Sequence, residues 1–250
     1  MRRSEGSKRA EYEAWHQRVH EMELGQGIGL LAEWYINALE LLPTIKGRRV
    51  LEVGCGLGQF ATYLALQGAV VTAIDFSAEA IRIARARTAQ QNAGVSYYVA
   101  DAERLPFGDS NFDVVVSCEC LEHVPNPQNM LSECARVLQV NGVLVLTTEN
   151  YTNGMLLGWI VSWLRRKPFD SGAGVQPIEH FFVFWYVVRL LRKAGLTLRK
   201  MLGSHHVFLL LPRHDPSTFV VERFRSPLAA WFLRPLARHM AFEAVKKAKL

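Results

Sequence analysis

Between residues 47 and 150, short apolar runs alternate with amphipathic segments, each closed by a glycine or a polar turn. Val50, Leu51 and Val53 form the first run and lead into the turn Gly54-Cys55-Gly56-Leu57-Gly58. GQFATYLALQG follows as a helix closed at Gly68, the residue type expected just past a helix C-terminus. AVVTAIDFS reads as a second strand ending at Asp75, and AEAIRIARARTAQQNAG as a second helix. SYYVADAERLPF gives a short third strand ending near Asp101, and NFDVVVSCECLEHV a fourth, with Val114, Val115 and Val116 as a continuous run. NPQNMLSECARVLQVNG is a helix and GVLVLTTEN a fifth strand. Strands that are apolar on both faces and separated by helices belong to a parallel sheet covered on both sides. Right-handed crossovers make that a doubly wound, Rossmann-like α/β fold.

The rhythm differs on either side. Residues 10–42 read as helical, with Trp15, Val19, Leu24, Leu30, Leu31, Trp34, Ile36 and Leu39 as the apolar positions and Pro43 after the last turn. MLLGWIVSWL (155–164) is apolar almost throughout, too short at ten residues to cross a bilayer, and followed by Arg165, Arg166 and Lys167. IEHFFVFWYVVRLLRKAG (178–195) reads as an aromatic helix, and LTLRKMLGSHHVFLLLP as an antiparallel strand pair. The expected organisation is an N-terminal helical cap (1–46), a core (47–150), a helical insert or lid over the acceptor (151–195), a terminal strand pair (196–212) and a basic aromatic tail (213–250) broken by Pro227 and Pro235.

Charge divides along the same lines. Residues 51–150 hold 5 Lys/Arg against 11 Asp/Glu, a net −6, whereas residues 189–250 hold 13 against 3, a net +10. An acidic middle and a basic end suggest a catalytic centre followed by a surface that meets anionic lipid, an acidic partner, nucleic acid or only solvent. No nucleic-acid motif is present, and none is expected as a partner. Cys55, Cys118, Cys120 and Cys134 are too few and too clustered for a disulfide framework, and the charged N-terminus lacks an apolar signal segment. Both point to a reducing, cytoplasmic setting, with peripheral membrane contact as a further expectation.

In open α/β sheets ligands sit at the carboxyl ends of the strands. The Gly54–Gly58 turn allows close backbone approach there, Asp75 is placed to accept ribose hydroxyls, and a carboxylate of Asp101-Ala102-Glu103 to take an adenine amine. The glycine spacing resembles a dinucleotide fingerprint, except that the third glycine falls one position early, with Gln59 following. Taken in order, VLEVGCGLGQFATYLALQGAVVTAIDFS, DAERLPFGDSNFDVVVSCECLEHVPNP and ECARVLQVNGVLVLTTEN resemble the class I S-adenosylmethionine-dependent methyltransferases of small molecules, type 11-like, over roughly residues 47–150. The resemblance implies a seven-stranded sheet with a terminal antiparallel strand. It also implies that Gly54, Gly56 and Gly58 line the methionine moiety, with Glu52 supporting the loop. Asp75 would hold the ribose, Phe76 flank the adenine, Asp101 and Ala102 contact the base, and Cys118 lie beside the adenosyl group.

The stretch SCECLEHVPNP carries the least obvious chemistry. Cys118 and Cys120 read as packing residues, since a CxC pair on a strand edge has poor disulfide geometry and no second pair completes a zinc site. ExxEH followed by Val-Pro resembles the loop of the ubiquinone-pathway O-methyltransferases. That resemblance implies Glu119, Glu122 and His123 as ligands of Mg²⁺ or a similar hard cation. The residues themselves leave two other readings: His123 or Glu122 as general base, or loop architecture alone. His180, His205 and His206 are further candidate bases, and Tyr151 a candidate acceptor wall. Trp159 and Trp163, four apart and followed by three cations, sketch an interfacial helix or a lid. The expected activity is methyl transfer to a small, rather apolar metabolite or lipid-like acceptor, with oxygen favoured. An NAD-dependent oxidoreductase and a catalytically silent cofactor-binding module are the rivals.

Overall fold

The computed structural model describes residues 10–18, 33–150, 163–164, 166, 178–180, 182–209, 218–221 and 227–248. Helix α1 covers residues 10–18 and α2 Glu33–Leu41. The alternating core follows as β1 (Arg49–Val53), α3 (Gln59–Leu66), β2 (Val70–Asp75), α4 (Ala78–Gln90), β3 (Val95–Val99), β4 (Phe112–Cys118), α5 (Pro127–Val137) and β5 (Leu138–Glu149). Then come α6 (Phe184–Lys193), β6 (Leu196–Ser204), β7 (His206–Leu209), β8 (Thr218–Val221), α7 (Pro227–Leu233) and β9 (His239–Lys246).

Seven strands form one sheet in the order β3-β2-β1-β4-β5-β9-β6. The first five are mutually parallel, and β9 runs antiparallel between β5 and β6. This is the expected doubly wound sheet, with β1 between β2 and β4 at the switch point. Period-two alternation divides the core into two layers. Val114, Val116, Val143 and Val145 pack on one side with Phe60, Leu64 and Ile81. Val115, Leu144 and Leu146 pack on the other with Met130, Leu131, Val187 and Leu191. Helix entries are fixed by side chains: Ser77 Oγ accepts from Ala80 N at 3.1 Å, and Asn126 Oδ1 from Asn129 N at 3.2 Å with Pro127 at the first helical position. Each such cap contributes about 1 kcal/mol.

Two expectations need correction. The antiparallel strand that completes the sheet comes from the tail, not from the segment after the His205 turn. Leu196–Ser204 pairs with His239–Lys246, while β7 leaves the sheet and pairs with β8. The apolar run of β9 is interrupted by Glu243, which is buried yet flanked by Arg199 Nη1 at 3.6 Å and Lys200 Nζ at 3.4 Å from β6. Cross-strand cations make that carboxylate tolerable inside a sheet. Second, the aromatic helix expected over 178–195 begins only at Phe184. Residues 178–180 are instead held to the loop after β4, His180 N donating to Glu122 O at 2.8 Å. β3 ends at Val99, near Asp101 as expected. The expected apolar helix 155–164 and Tyr151 lie largely outside the described residues; of that segment Trp163 and Leu164 are helical and exposed.

Candidate active site

The carboxyl ends of β1, β2, β4 and β5 open into one cavity of about 410 Å³. The loop after β1 forms its floor, where Gly54 and Gly56 line it. Gly54 is required by close approach: a Cβ there would meet Cys120 Cβ at 2.6 Å. Gly58 has φ of 79° and turns its missing side chain towards α4, where a Cβ would meet Ala84 Cβ at 2.7 Å. Its carbonyl accepts from Thr62 Oγ1 at 2.7 Å, so the loop is tied to α3.

Asp75 closes the end of β2 and is 8% exposed. Its Oδ2 accepts from Gly56 N at 2.9 Å and its Oδ1 from Ser77 N at 2.9 Å. Each oxygen keeps a second lone pair for a ligand hydroxyl. Glu52 sits beneath the loop, 1% exposed. Burial, then the charge of Asp75, pushes its carboxyl well above the usual range, while a bond from the Ala61 backbone opposes this. Glu52 supports the loop without lining the cavity.

Of the expected ligand residues, Gly54, Gly56, Asp75, Phe76, Asp101, Ala102 and Cys118 line the cavity. Glu52 and Gly58 lie behind it. Asp101 Oδ1 accepts from Glu103 N at 2.8 Å, which orders the turn after β3. All four cysteines are free thiols. Burial raises Cys55, Cys118 and Cys120 well above the ordinary thiol value, and Cys134 to about 12. They therefore stay protonated and serve as packing groups, as their spacing suggests.

The opposite end of the cavity is built from the loop after β4, the end of β5 and residues 178–179. His123 Nδ1 donates to Ile178 O at 2.8 Å. A carbonyl accepts only, so the neutral ring carries its proton on Nδ1 and leaves a lone pair on Nε2. Glu122 is buried, and Thr148 Oγ1 donates to its Oε2 at 2.9 Å. His180 does not line the cavity: its Nε2 donates to Val124 O at 2.9 Å, which together with its backbone bond zips 178–180 to the loop. It is a cross-link between two cavity walls rather than a base. His206 is likewise turned away, with Nε2 donating to Leu233 O at 2.9 Å.

The expected cation trio is not gathered. Glu122 is directed to Thr148 and His123 Nδ1 to Ile178. Among the described residues, the group whose donor atoms all lie within 4.8 Å of one another is Glu119, Glu149 and His239. Burial, then Glu122 and Glu149, raises the Glu119 carboxyl well above its ordinary range. Burial raises Glu149 as well, against the pull of Arg238. Burial, with Arg238 and His205, lowers His239 to about 3.

Sequence reading missed several walls. Tyr12, Trp15 and His16 of α1, Tyr35 of α2, and Glu149 and Glu179 all line the cavity. Tyr12 Oη donates to His123 O at 3.2 Å and so roofs the His123 end of the cavity. Among the described residues the lining includes seven carboxylates, Asp75, Asp101, Glu103, Glu119, Glu122, Glu149 and Glu179, and no Lys or Arg. A cationic ligand carrying ribose hydroxyls fits this charge and this donor set.

A family profile described as "Methyltransferase domain" matches residues 51–146. The ubiquinone biosynthesis O-methyltransferase of Coxiella burnetii (strain RSA 493 / Nine Mile phase I) is 33% identical over 212 residues, covering 76% of this chain and 88% of that protein. The protein of the same name from Alkalilimnicola ehrlichii is 31% identical over 211 residues, covering 75% of this chain and 83% of its own. Among solved structures, an S-adenosylmethionine-dependent methyltransferase from Mesorhizobium loti superposes with a TM-score of 0.60 at 20% identity, covering 88% of this chain and all 100% of that one.

Proposed function

The chain belongs to the class I S-adenosylmethionine-dependent methyltransferases, and from that premise we propose that it methylates an oxygen of a small, largely apolar acceptor with His123 as general base. S-adenosylmethionine, when bound, supplies an electrophilic methyl group on a sulfonium. Asp75 would hold the ribose hydroxyls, and Gly54 and Gly56 would pass the methionine moiety close to backbone, with Phe76, Asp101, Ala102 and Cys118 around the adenosyl group. The carboxylate-rich lining favours the sulfonium's charge over a neutral competitor.

The observation that carries the proposal is the His123 ring in the cavity wall, its Nδ1 proton fixed on Ile178 O and its Nε2 lone pair available. A hydroxyl acceptor would give its proton to Nε2, leaving an imidazolium steadied by the Ile178 carbonyl. Tyr12, Trp15 and the 178–179 segment would shield that exchange from water and position the acceptor. His180 acts as a positioning residue, since its two bonds to Glu122 O and Val124 O fix the wall that supports His123.

The relatives named for ubiquinone biosynthesis make a phenolic ring with an apolar substituent the first acceptor to test. Radiolabelled methyl transfer from S-adenosylmethionine to such phenols, followed by mass spectrometry of the product, is the direct experiment. An O-methyl ether supports the proposal; methylation only of amines would overturn the oxygen assignment. The exposed Leu228, Trp231 and Phe232 of α7, within the basic C-terminal part, support peripheral contact with an anionic membrane that could deliver an apolar acceptor. Among the described residues, no helix is long and apolar enough to cross a membrane.

A further inference from the structure

We propose that Tyr97 is a positioning residue for cofactor binding: through Thr88 and Thr62 it fixes the Gly58 carbonyl, and with it the glycine loop assigned to the methionine moiety. The inference rests on the reading of the cavity as the S-adenosylmethionine site and adds a residue that lies outside the cavity walls. Three elements meet behind the loop. Tyr97 is the buried residue of the edge strand β3, Thr88 lies on α4 and Thr62 on α3, and all three side chains are buried.

Their hydroxyls form a relay. Tyr97 Oη and Thr88 Oγ1 are 2.8 Å apart, and Thr88 Oγ1 and Thr62 Oγ1 2.7 Å. Thr62 Oγ1 donates to Gly58 O at 2.7 Å, and Tyr97 Oη also stands 3.4 Å from that carbonyl. The direction of the protons follows from the last acceptor. A carbonyl only accepts, so the Thr62 proton is spent on Gly58 O. Thr88 must then donate to Thr62, and Tyr97 to Thr88. Burial raises the Tyr97 phenol to about 12, so the proton that heads the relay is present at neutral pH. Hydrogen bonds linked in this way strengthen one another.

Two features show why the loop needs this hold. Gly56 and Gly58 have φ of 50° and 79°, and glycine loses the most conformational freedom of any residue when it is ordered. Gly58 is also the N-cap of α3, yet has no side chain, so the entry of α3 lacks the side-chain bond that Ser77 and Asn126 supply to α4 and α5. In front, Asp75 Oδ2 accepts from Gly56 N at 2.9 Å. Behind, the relay holds Gly58 O, while Gly58 N donates to Cys55 O at 2.9 Å across the same turn. The loop is clamped from both sides, and preorganisation of this kind lowers the cost of binding a ligand. For packing alone, Phe and two Val would fill the same space with no hydroxyl to satisfy.

The test is calorimetric titration of the full-length chain with S-adenosylhomocysteine, beside thermal melts, for wild type, Tyr97→Phe, Thr62→Val, Thr62→Ser and the double variant Tyr97→Phe with Thr62→Val. Tyr97→Phe should weaken binding by about three- to tenfold, and Thr62→Val by at least as much. Thr62→Ser keeps the donor and should stay within about twofold of wild type. The double variant should stay within about twofold of Thr62→Val, because both substitutions cut one relay. Residues that only pack the core would lower Tm and leave the affinity where it was. If Thr62→Val does not fold, Tyr97→Phe, which removes a single oxygen, decides alone. Tyr97→Phe binding within about twofold of wild type, Thr62→Ser as weak as Thr62→Val, or fully additive losses in the double variant would each overturn the relay. A wild type that does not bind S-adenosylhomocysteine would overturn the cofactor reading itself, and the positioning role with it.

Discussion

Replacing Asp75 by Asn probes the cofactor end with the least change of shape. The carboxylate accepts from Gly56 N and from Ser77 N, both at 2.9 Å. An amide has one acceptor oxygen, so one of these N–H groups would face an NH₂ donor instead. A charge-assisted bond from a ribose hydroxyl to the same carboxylate contributes about 1.5–3 kcal/mol, so weakening it corresponds to about a 10- to 150-fold change in affinity. The loss should appear mainly in binding rather than in stability. The amide oxygen still accepts from one of the two N–H groups, so the loop keeps half of this bonding. Calorimetric titration with S-adenosylhomocysteine, beside thermal melts of both proteins, separates the two effects. An affinity within about twofold of wild type, with the fold intact, would refute the assignment of Asp75 to the ribose.

Gly58→Ala combines an unfavourable left-handed backbone with a Cβ 2.7 Å from that of Ala84. It should cost about 3 kcal/mol, lowering Tm by about 6–12 °C in calorimetry; an unchanged Tm would contradict the packing described. Glu52→Gln tests the buried carboxyl. Because the folded-state pKa is raised above 4.5, the folded protein holds a proton that the unfolded chain releases, so stability falls as pH rises above that value, by up to about 1.4 kcal/mol per pH unit. Chemical denaturation at acidic and neutral pH should show a smaller loss in the Gln variant than in wild type, and equal losses would contradict the reading. On the membrane side, co-sedimentation with phosphatidylglycerol vesicles should exceed that with phosphatidylcholine vesicles and drop with salt and with Trp231→Ala. Equal binding to both vesicles would remove the membrane reading.

The parallel core was legible because its signals are local. Apolar runs on both faces, a glycine turn after the first run and acids at strand ends place one cavity wall without knowledge of long-range contacts, and Gly54, Gly56, Asp75 and Asp101 line it. The strand β9 was not legible, because Glu243 breaks its apolar run and the Arg199 and Lys200 that neutralise it lie on another strand. His180 was misread for a similar reason: its neighbour Glu179 suggested a base, but the zipper to Glu122 and Val124 is set by tertiary packing. The apolar positions of α1 announce a buried face, yet nothing in them says that Tyr12 roofs the acceptor end. Glu149 had a signal that passed unused. It stands at the carboxyl end of the fifth strand, the same kind of position that singled out Asp75.

The most direct test of the account is single-turnover methyl transfer from labelled S-adenosylmethionine to a phenolic acceptor, measured for wild type and His123→Ala at matched S-adenosylhomocysteine affinity. The account predicts O-methylated product from the wild type and a rate lower by about 10²–10⁴-fold in the variant. A His123→Ala rate within about threefold of wild type, with the cofactor still bound, would contradict it.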